Sequence, residues 1–291
     1  MRKSFTAKLV VALLVGLAAA VVLAPFVAVA VARLGFRFPF PRIFDRVVMI
    51  ALALVLSFWA QNLKLVSLLR AGFARPVANF AFTARGLLVA LGVMVVLFLV
   101  ASAMEGFPSA GRAAGLLPKY VLSAALIAVI EEAFFRAFLF GGMKDDFGST
   151  GALIVSSTIY ALAHLVRAPG RFYATTLDLS AGVRTLGLSF SQLSAPLSAL
   201  PTLIGLFLLG VVLAEAFILT GTVWFSVGLH AGFVIGAKLW PKMMVTRREL
   251  PGWLAGWGKQ PLISGAAAWV AALAVLLVLR ALAGTRRERA A

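Results

Sequence analysis

The sequence predicts an all-α polytopic membrane protein, with about eight transmembrane helices around a polar intramembrane cavity. Three observations predict it. Hydrophobic residues make up 62% of the 291 and charged residues only 13%, whereas soluble domains are about half apolar and about one-quarter charged. The apolar residues come in long continuous runs, not in the alternation of a half-buried strand. The few ionisable groups inside those runs are costly in lipid and are candidates for a shared polar site.

A span needs about 20 apolar residues to cross roughly 30 Å of hydrocarbon. The first run, Leu9 to Ala32, follows Arg2, Lys3 and Lys8; with Ala28-Val29-Ala30 it imitates a secretory signal, but its apolar stretch is too long for one. Val47 to Leu69 comes next and carries Gln61, Asn62 and Lys64 near its end, polar groups suited to snorkelling or interhelical hydrogen bonds. Gly86 to Met104, Tyr120 to Phe140 and the shorter Gly151 to Val166 follow, then Leu200 to Leu219, Val223 to Trp240 and Ser264 to Leu282. Between them lie Phe38-Pro39-Phe40-Pro41-Arg42, Arg75-Pro76, Gly106-Phe107-Pro108 and Gly252 to Gly258 with Trp253 and Trp257, turn and aromatic chemistry suited to head groups. Arg167 to Ala199 is the longest connection and is only mildly polar, so it can lie on the membrane.

No stretch is left for a separate soluble domain, so residues 1–291 read as a single membrane domain. The net charge of +17 would suggest nucleic acid in a soluble chain. Here the Lys and Arg sit mainly between apolar runs, where head groups attract them, and no nucleic-acid partner is expected. Alternate loops carry similar basic totals, so charge does not orient the protein. Without cysteine, thiolate chemistry is impossible.

The strongest ionisable cluster is Glu131-Glu132-Ala133-Phe134-Phe135-Arg136. At about 100° per residue, Glu132 and Arg136 lie one turn apart on the same face and can pair, whereas Glu131 points about 140° away from Arg136 and is available to a different partner. A structural ion network between helices is the bland alternative. The only two histidines, His164 and His230, both fall in apolar runs; imidazole suits proton transfer and oxyanion stabilisation. Gly228, Gly232 and Gly236 make one smooth face for close packing, with His230 and Val234 opposite. Tyr160 shares a face with His164, as a hydrogen-bond partner or simply as packing, and Glu215 stands alone near the end of its run. No His-Glu-x-x-His, Gly-x-Ser-x-Gly or Gly-x-Gly-Asp motif is present.

A glutamate with two distant histidines resembles the CAAX-protease and bacteriocin-processing family of intramembrane proteases, which includes the Ras-converting enzymes. Its pattern is Glu-Glu-x-x-x-Arg, then Phe-x-x-x-His, then His-x-x-x-Asn or a variant, on separate helices. Glu131, Glu132 and Arg136 match the first part, and Tyr160 to His164 matches the second with Tyr for Phe. His230 begins the third, but Val234 stands where many members carry Asn. The family-like core runs from about 119 to 240.

The resemblance implies an intramembrane endopeptidase. Glu131, helped by His164, would activate a water to attack a peptide bond near the membrane surface; His230 would stabilise the oxyanion, and Glu132 and Arg136 would organise the site. No cofactor is required outright. A divalent metal stays open, with Glu131, His164 and His230 as its candidate ligands. The partners implied are membrane lipid and a membrane-associated peptide or protein substrate, in a multi-pass protein of the cytoplasmic membrane if the source is bacterial. Two other readings stand beside it: a non-catalytic scaffold or immunity-type protein of the same fold, favoured by Val234, and a transporter, favoured by Glu215 and disfavoured by the lack of an inverted repeat.

Overall fold

The computed structural model describes residues 4–104, 106–108, 115–170, 172–174, 176–246, 249–257 and 261–290. Arg2 and Lys3 of the basic start, and Gly258 of the last linker, lie outside them. The chain forms two compact units, one of Met1–Ser67 with Leu162–Ala199, the other of Leu68–Ala161 with Leu200–Ala291.

In the first unit, α1 (Phe5–Arg33) and α2 (Phe40–Phe58) pack through small residues on one and large ones on the other. Ala20, Ala24 and Ala28 of α1 meet Phe40, Ile43, Phe44, Val47 and Ala51 of α2 in one buried cluster. These spacings of three and four residues keep each set on one helical face. Most of the remaining surface of α1, including Val11, Leu14 and Leu23, is exposed and apolar, as a lipid-facing helix requires. The connection beyond Leu162 is anchored to this pair. The Phe40 N–H donates to the Phe172 carbonyl at 2.7 Å, and the Phe40 and Phe172 rings stack at 5.3 Å. Helix α7 (Ser180–Ser189) crosses α1 where Gly182 meets the Val21 carbonyl so closely that a Cβ has no room.

The apolar run from Val47 to Leu69 is not one helix. It stops at Phe58, turns through residues 59–64 and resumes as α3 (Leu65–Gly72). Lys64 adopts a positive φ of 52°, and the Lys8 ammonium donates to the Asn62 carbonyl at 3.4 Å. The polar groups at 61, 62 and 64 sit where carbonyls released from a helix end need partners.

In the second unit, α4 (Phe80–Ala103) and α9 (Trp224–Met243) form the tightest helix pair. Gly228 abuts the Thr83 carbonyl, a Cβ on Gly232 would stand 2.6 Å from the Ala90 Cβ, and Gly236 lies against the Met94 side chain. From α4, Gly86 answers by abutting the Phe225 carbonyl. The polypeptide from Leu117 to Phe147 is helical throughout: α5 (Leu117–Glu132), a π-helical segment (Ala133–Phe140), then the start of α6 (Gly141–Ala163). Gly148, at φ 67°, breaks α6 near its beginning, a backbone state that glycine reaches without a Cβ penalty.

Helix α8 (Pro196–Thr220) and α11 (Ala266–Ala290) close this unit around Val212, Leu213, Ala216, Leu229, Val275 and Leu279. Short α10 (Gly252–Ala255) precedes α11. Among the described residues, the strand structure in this otherwise helical fold is a three-residue antiparallel ladder, β1 (Gly106–Pro108) with β2 (Met244–Thr246), pairing Phe107 with Val245.

Among the described residues, three helices, Phe5–Arg33, Phe80–Ala103 and Pro196–Thr220, are long and apolar enough to cross a membrane, and Ala266–Leu282 is a shorter apolar helix.

Candidate active site

Within the second unit, three helices bring five of the sequence-predicted residues together. Glu131 and Glu132 are the last two residues of α5, Arg136 lies one turn on in the π-helical segment, Tyr160 comes from α6, and His230 from α9. Glu132, Arg136, Tyr160 and His230 are buried, at 0%, 1%, 1% and 2% exposure. Glu131 keeps 27% of its side chain exposed.

The two carboxylates meet one imidazole. His230 Nδ1 lies 2.9 Å from Glu132 Oε1, and His230 Nε2 lies 3.8 Å from Glu131 Oε2. Glu132, ion-paired with Arg136 through Oε2 and Nε at 3.3 Å, is an acceptor, so the His230 tautomer that satisfies the bond carries its proton on Nδ1. Nε2 is then the ring nitrogen on the Glu131 side. Ser226, one turn before His230, adds a hydrogen-bonding hydroxyl beside Glu132.

The Arg136 guanidinium is held on every side. Its Nη2 donates to the Gly210 carbonyl of α8 at 3.2 Å, and its carbon lies 4.8 Å from the centre of the Tyr160 ring and 5.8 Å from that of Phe135. Tyr160 in turn stands edge-on to Phe135 at 5.0 Å and to His230 at 6.2 Å. An isolated buried cation is prohibitively costly, and here a carboxylate, a carbonyl and two aromatic faces share the charge. Gly210 makes the carbonyl contact sterically possible, since its Cα faces Ser157 of α6 with only 3.0 Å between an added Cβ and the Ser157 Cβ.

Several of these partners were not among the sequence-predicted site residues. Gly210 and Ser226 sit in apolar runs without a motif, and Phe135 falls at an unspecified position of the Glu-Glu-x-x-x-Arg pattern; a small residue facing a helix neighbour was the one available signal for Gly210. The π-helical segment begins at the residue after Glu132; such insertions recur at functional sites because they widen a turn and redirect side chains. Val234 lies one turn beyond His230 on α9 and is part-buried. His164 belongs to the first unit, one residue past the end of α6, and is also part-buried.

Among the described residues no group of three His, Asp or Glu side chains is arranged to hold a metal ion. The local donors are already committed to one another, with the His230 Nδ1 engaged by Glu132. The arrangement as it stands offers a part-exposed carboxylate, an imidazole nitrogen beside it, and a buried ion pair behind that fixes the ring.

Comparisons with curated proteins and with solved structures gave no match. A family model does match, over residues 113–236, a segment that contains Glu131, Glu132, Arg136, Tyr160, His164, His230 and Val234. The family is a membrane-embedded peptidase family, so an integral membrane protein is what its apolar helices build. Residues 113–236 are thus similar to the Rce1-like family, described as Type II CAAX prenyl endopeptidase Rce1-like.

Proposed function

We propose that this protein is a multi-pass intramembrane endopeptidase, with Glu131 as the base that activates water. The observation that carries the reading is the meeting of Glu131 and Glu132 at the single imidazole of His230, inside a segment matched by a peptidase family. The buried Glu132–Arg136 pair holds the ring through Nδ1, which leaves Nε2 and the Glu131 carboxylate as the groups that can reach a substrate.

In the proposed reaction, Glu131 takes a proton from water as the water oxygen attacks the scissile carbonyl. Nε2 of His230, when protonated, stabilises the oxyanion. Glu131 then returns its proton to the leaving amide nitrogen as the C–N bond breaks, which regenerates both groups. His164 assists Glu131 by the family resemblance. The eight apolar runs, with Glu131 and His230 in a polar interior, make up one membrane domain whose two ends face the same side, and its substrate is a membrane-associated peptide or protein.

One observation favours a second reading, a non-catalytic protein of the same fold: Val234 supplies no donor where the family pattern carries an amide. The same experiment separates the two. Purified wild type is expected to release a fragment, identified by mass spectrometry, from membrane-peptide reporters, and Glu131→Gln to release none while remaining folded. Folded wild type inert toward every reporter would favour the non-catalytic reading. An active Glu131→Gln protein would remove Glu131 from the mechanism.

A further inference from the structure

Helix α1 has 29 residues, which at 1.5 Å each reach about 43 Å, the thickness of a bilayer with its head groups. Its last turn therefore sits at head-group level, and α2 starts there, within the same compact unit. The elbow between the two helices, residues 34–39, is basic and aromatic. Arg33 closes α1, Arg37 lies in the elbow, and Arg42 and Arg46 stand one turn apart on α2, all four exposed. Between Arg33 and Arg46 the sequence sets one acid against them, Asp45, and the charges beside it are Arg167 and Arg46. Among the described residues, no hydrogen bond or ion pair engages the Arg37 guanidinium.

A cavity of about 410 Å³ opens at this elbow, within the roughly 300 to 1,000 Å³ of small-molecule sites. Ala28 and Ala32 of α1 and Ile43 of α2 give it an apolar floor, which extends about 7.5 Å below the end of α1. Arg37 and Tyr173 also line it. The side chains on either side of Arg37 hold its backbone, since the Phe36 and Phe38 rings stack at 6.2 Å and 7° from parallel. Tyr173 follows Phe172, whose carbonyl and ring are both held by Phe40. A second cavity, of about 470 Å³, opens near the start of α1, but there the Lys8 ammonium already donates to the Asn62 carbonyl.

We propose that the elbow between α1 and α2 is a binding site for one anionic phospholipid, its phosphate on Arg37 and Tyr173 and the upper part of an acyl chain along Ala28, Ala32 and Ile43. A guanidinium fork matches phosphate oxygens in pairs, and head-group level is where a membrane presents them. The apolar floor selects an amphiphile over a soluble phosphate ester, which would leave that floor wet. The arginines select the head group. A zwitterionic lipid would bring a quaternary ammonium among four arginines, and Arg42 already covers the Phe38 ring at 5.0 Å, the aromatic face that could have attracted such a cation. A glycerol head group adds no second cation.

The test is native mass spectrometry of the full chain in a neutral detergent, titrated with phosphatidylglycerol or with phosphatidylcholine of the same acyl chains. The first phosphatidylglycerol is expected to bind about tenfold more tightly than the first phosphatidylcholine, the scale of one charge-assisted hydrogen bond. Arg37→Gln should remove most of that preference, and Arg37→Lys, which keeps the charge without the fork, should retain part of it. Ala32→Phe fills the floor and keeps every charge, so it should weaken both lipids; if it fails to fold, Ala32→Leu serves in its place. Lys8→Gln removes the same charge at the start of α1 and should leave the first site intact. Saturating phosphatidylglycerol should also raise the melting midpoint of the wild type, and not that of Arg37→Gln. Equal binding of the two lipids by the wild type overturns the proposal. So does an equal loss in Lys8→Gln and Arg37→Gln, which would mean diffuse attraction to a basic surface. Displacement of the lipid by millimolar glycerophosphoglycerol, the head group without chains, overturns it as well.

Discussion

Replacing Glu132 by Gln keeps the shape of the side chain and removes its charge, so it isolates what the buried ion pair does. Glu132 is fully buried and Arg136 is 1% exposed. After the substitution the guanidinium keeps the Gly210 carbonyl at 3.2 Å and the Tyr160 face at 4.8 Å but no anion. Breaking a buried pair in this way costs about 3 to 5 kcal/mol, because the remaining charge is stranded. That is a large part of the roughly 5 to 15 kcal/mol that typically holds a folded domain. At roughly 2 to 4 °C per kcal/mol for a chain of this order, the midpoint of thermal unfolding should fall by roughly 6 to 20 °C. Glu131→Gln should move it far less, since Glu131 is 27% exposed and 3.8 Å from its imidazole partner, a geometry worth at most about 1 kcal/mol. The assay is tryptophan fluorescence during heating, in one detergent, with folded yield from size exclusion on the same preparations. Removing the cation as well, in Glu132→Gln/Arg136→Met, should recover most of the loss, because an apolar replacement of a whole buried pair is often close to neutral. Equal melting shifts for the two Gln variants, or no recovery in the double variant, would refute the division between a structural and a chemical carboxylate.

Three further outcomes follow from particular contacts. Gly232→Val should destabilise the protein by about 1 to 3 kcal/mol through overpacking, because even a Cβ there would stand 2.6 Å from the Ala90 Cβ; unchanged melting would mean that α4 and α9 are not in contact. Arg280→Ala should cost under about 1 kcal/mol and leave cleavage unchanged, since the Arg280–Glu215 pair at 2.8 Å is 59% exposed on the arginine side; lost activity there would bring back a functional role for Glu215. Val234→Asn should raise kcat more than it changes KM, by up to the 10² to 10³ that one oxyanion donor is worth, with His230 still essential; a fall in both rate and folded yield would mean that the site is built around an apolar side chain.

The Glu132–Arg136 pair was legible in the sequence because both the α-helical and the wider π-helical turn return a side chain to nearly the same face after four residues. The glycine face of α9 was legible for a related reason: small residues at intervals of four make a groove in any helix, whatever fills it. Helix ends were harder. Nothing in the apolar run from Val47 to Leu69 announces a stop at Phe58, after which the chain turns through residues 59–64 with Lys64 at a φ of 52°. The meeting of both carboxylates at His230 was not legible either. A 100° step sends Glu131 and Glu132 in different directions from one helix, and only the approach of α9 at their shared edge places an imidazole that each can reach with a different nitrogen.

That geometry bears on why the acids are adjacent in sequence. A carboxylate that takes protons from water needs exposure, whereas a carboxylate that fixes an imidazole and neutralises a guanidinium needs burial, and one side chain cannot do both. Two successive residues at the end of α5 face opposite sides of the His230 ring, Glu132 at 0% exposure and Glu131 at 27%. The ring connects them: whatever tightens Nδ1 on Glu132 also aims Nε2 toward Glu131. On the proposed mechanism, Arg136 and Gly210 would act on the reacting side through the orientation of one imidazole, whereas Tyr160 lies near both that ring and the Glu131 carboxylate. Damage to that support should accordingly appear first as lost folded protein and only then as lost rate, whereas damage at Glu131 should appear as rate alone.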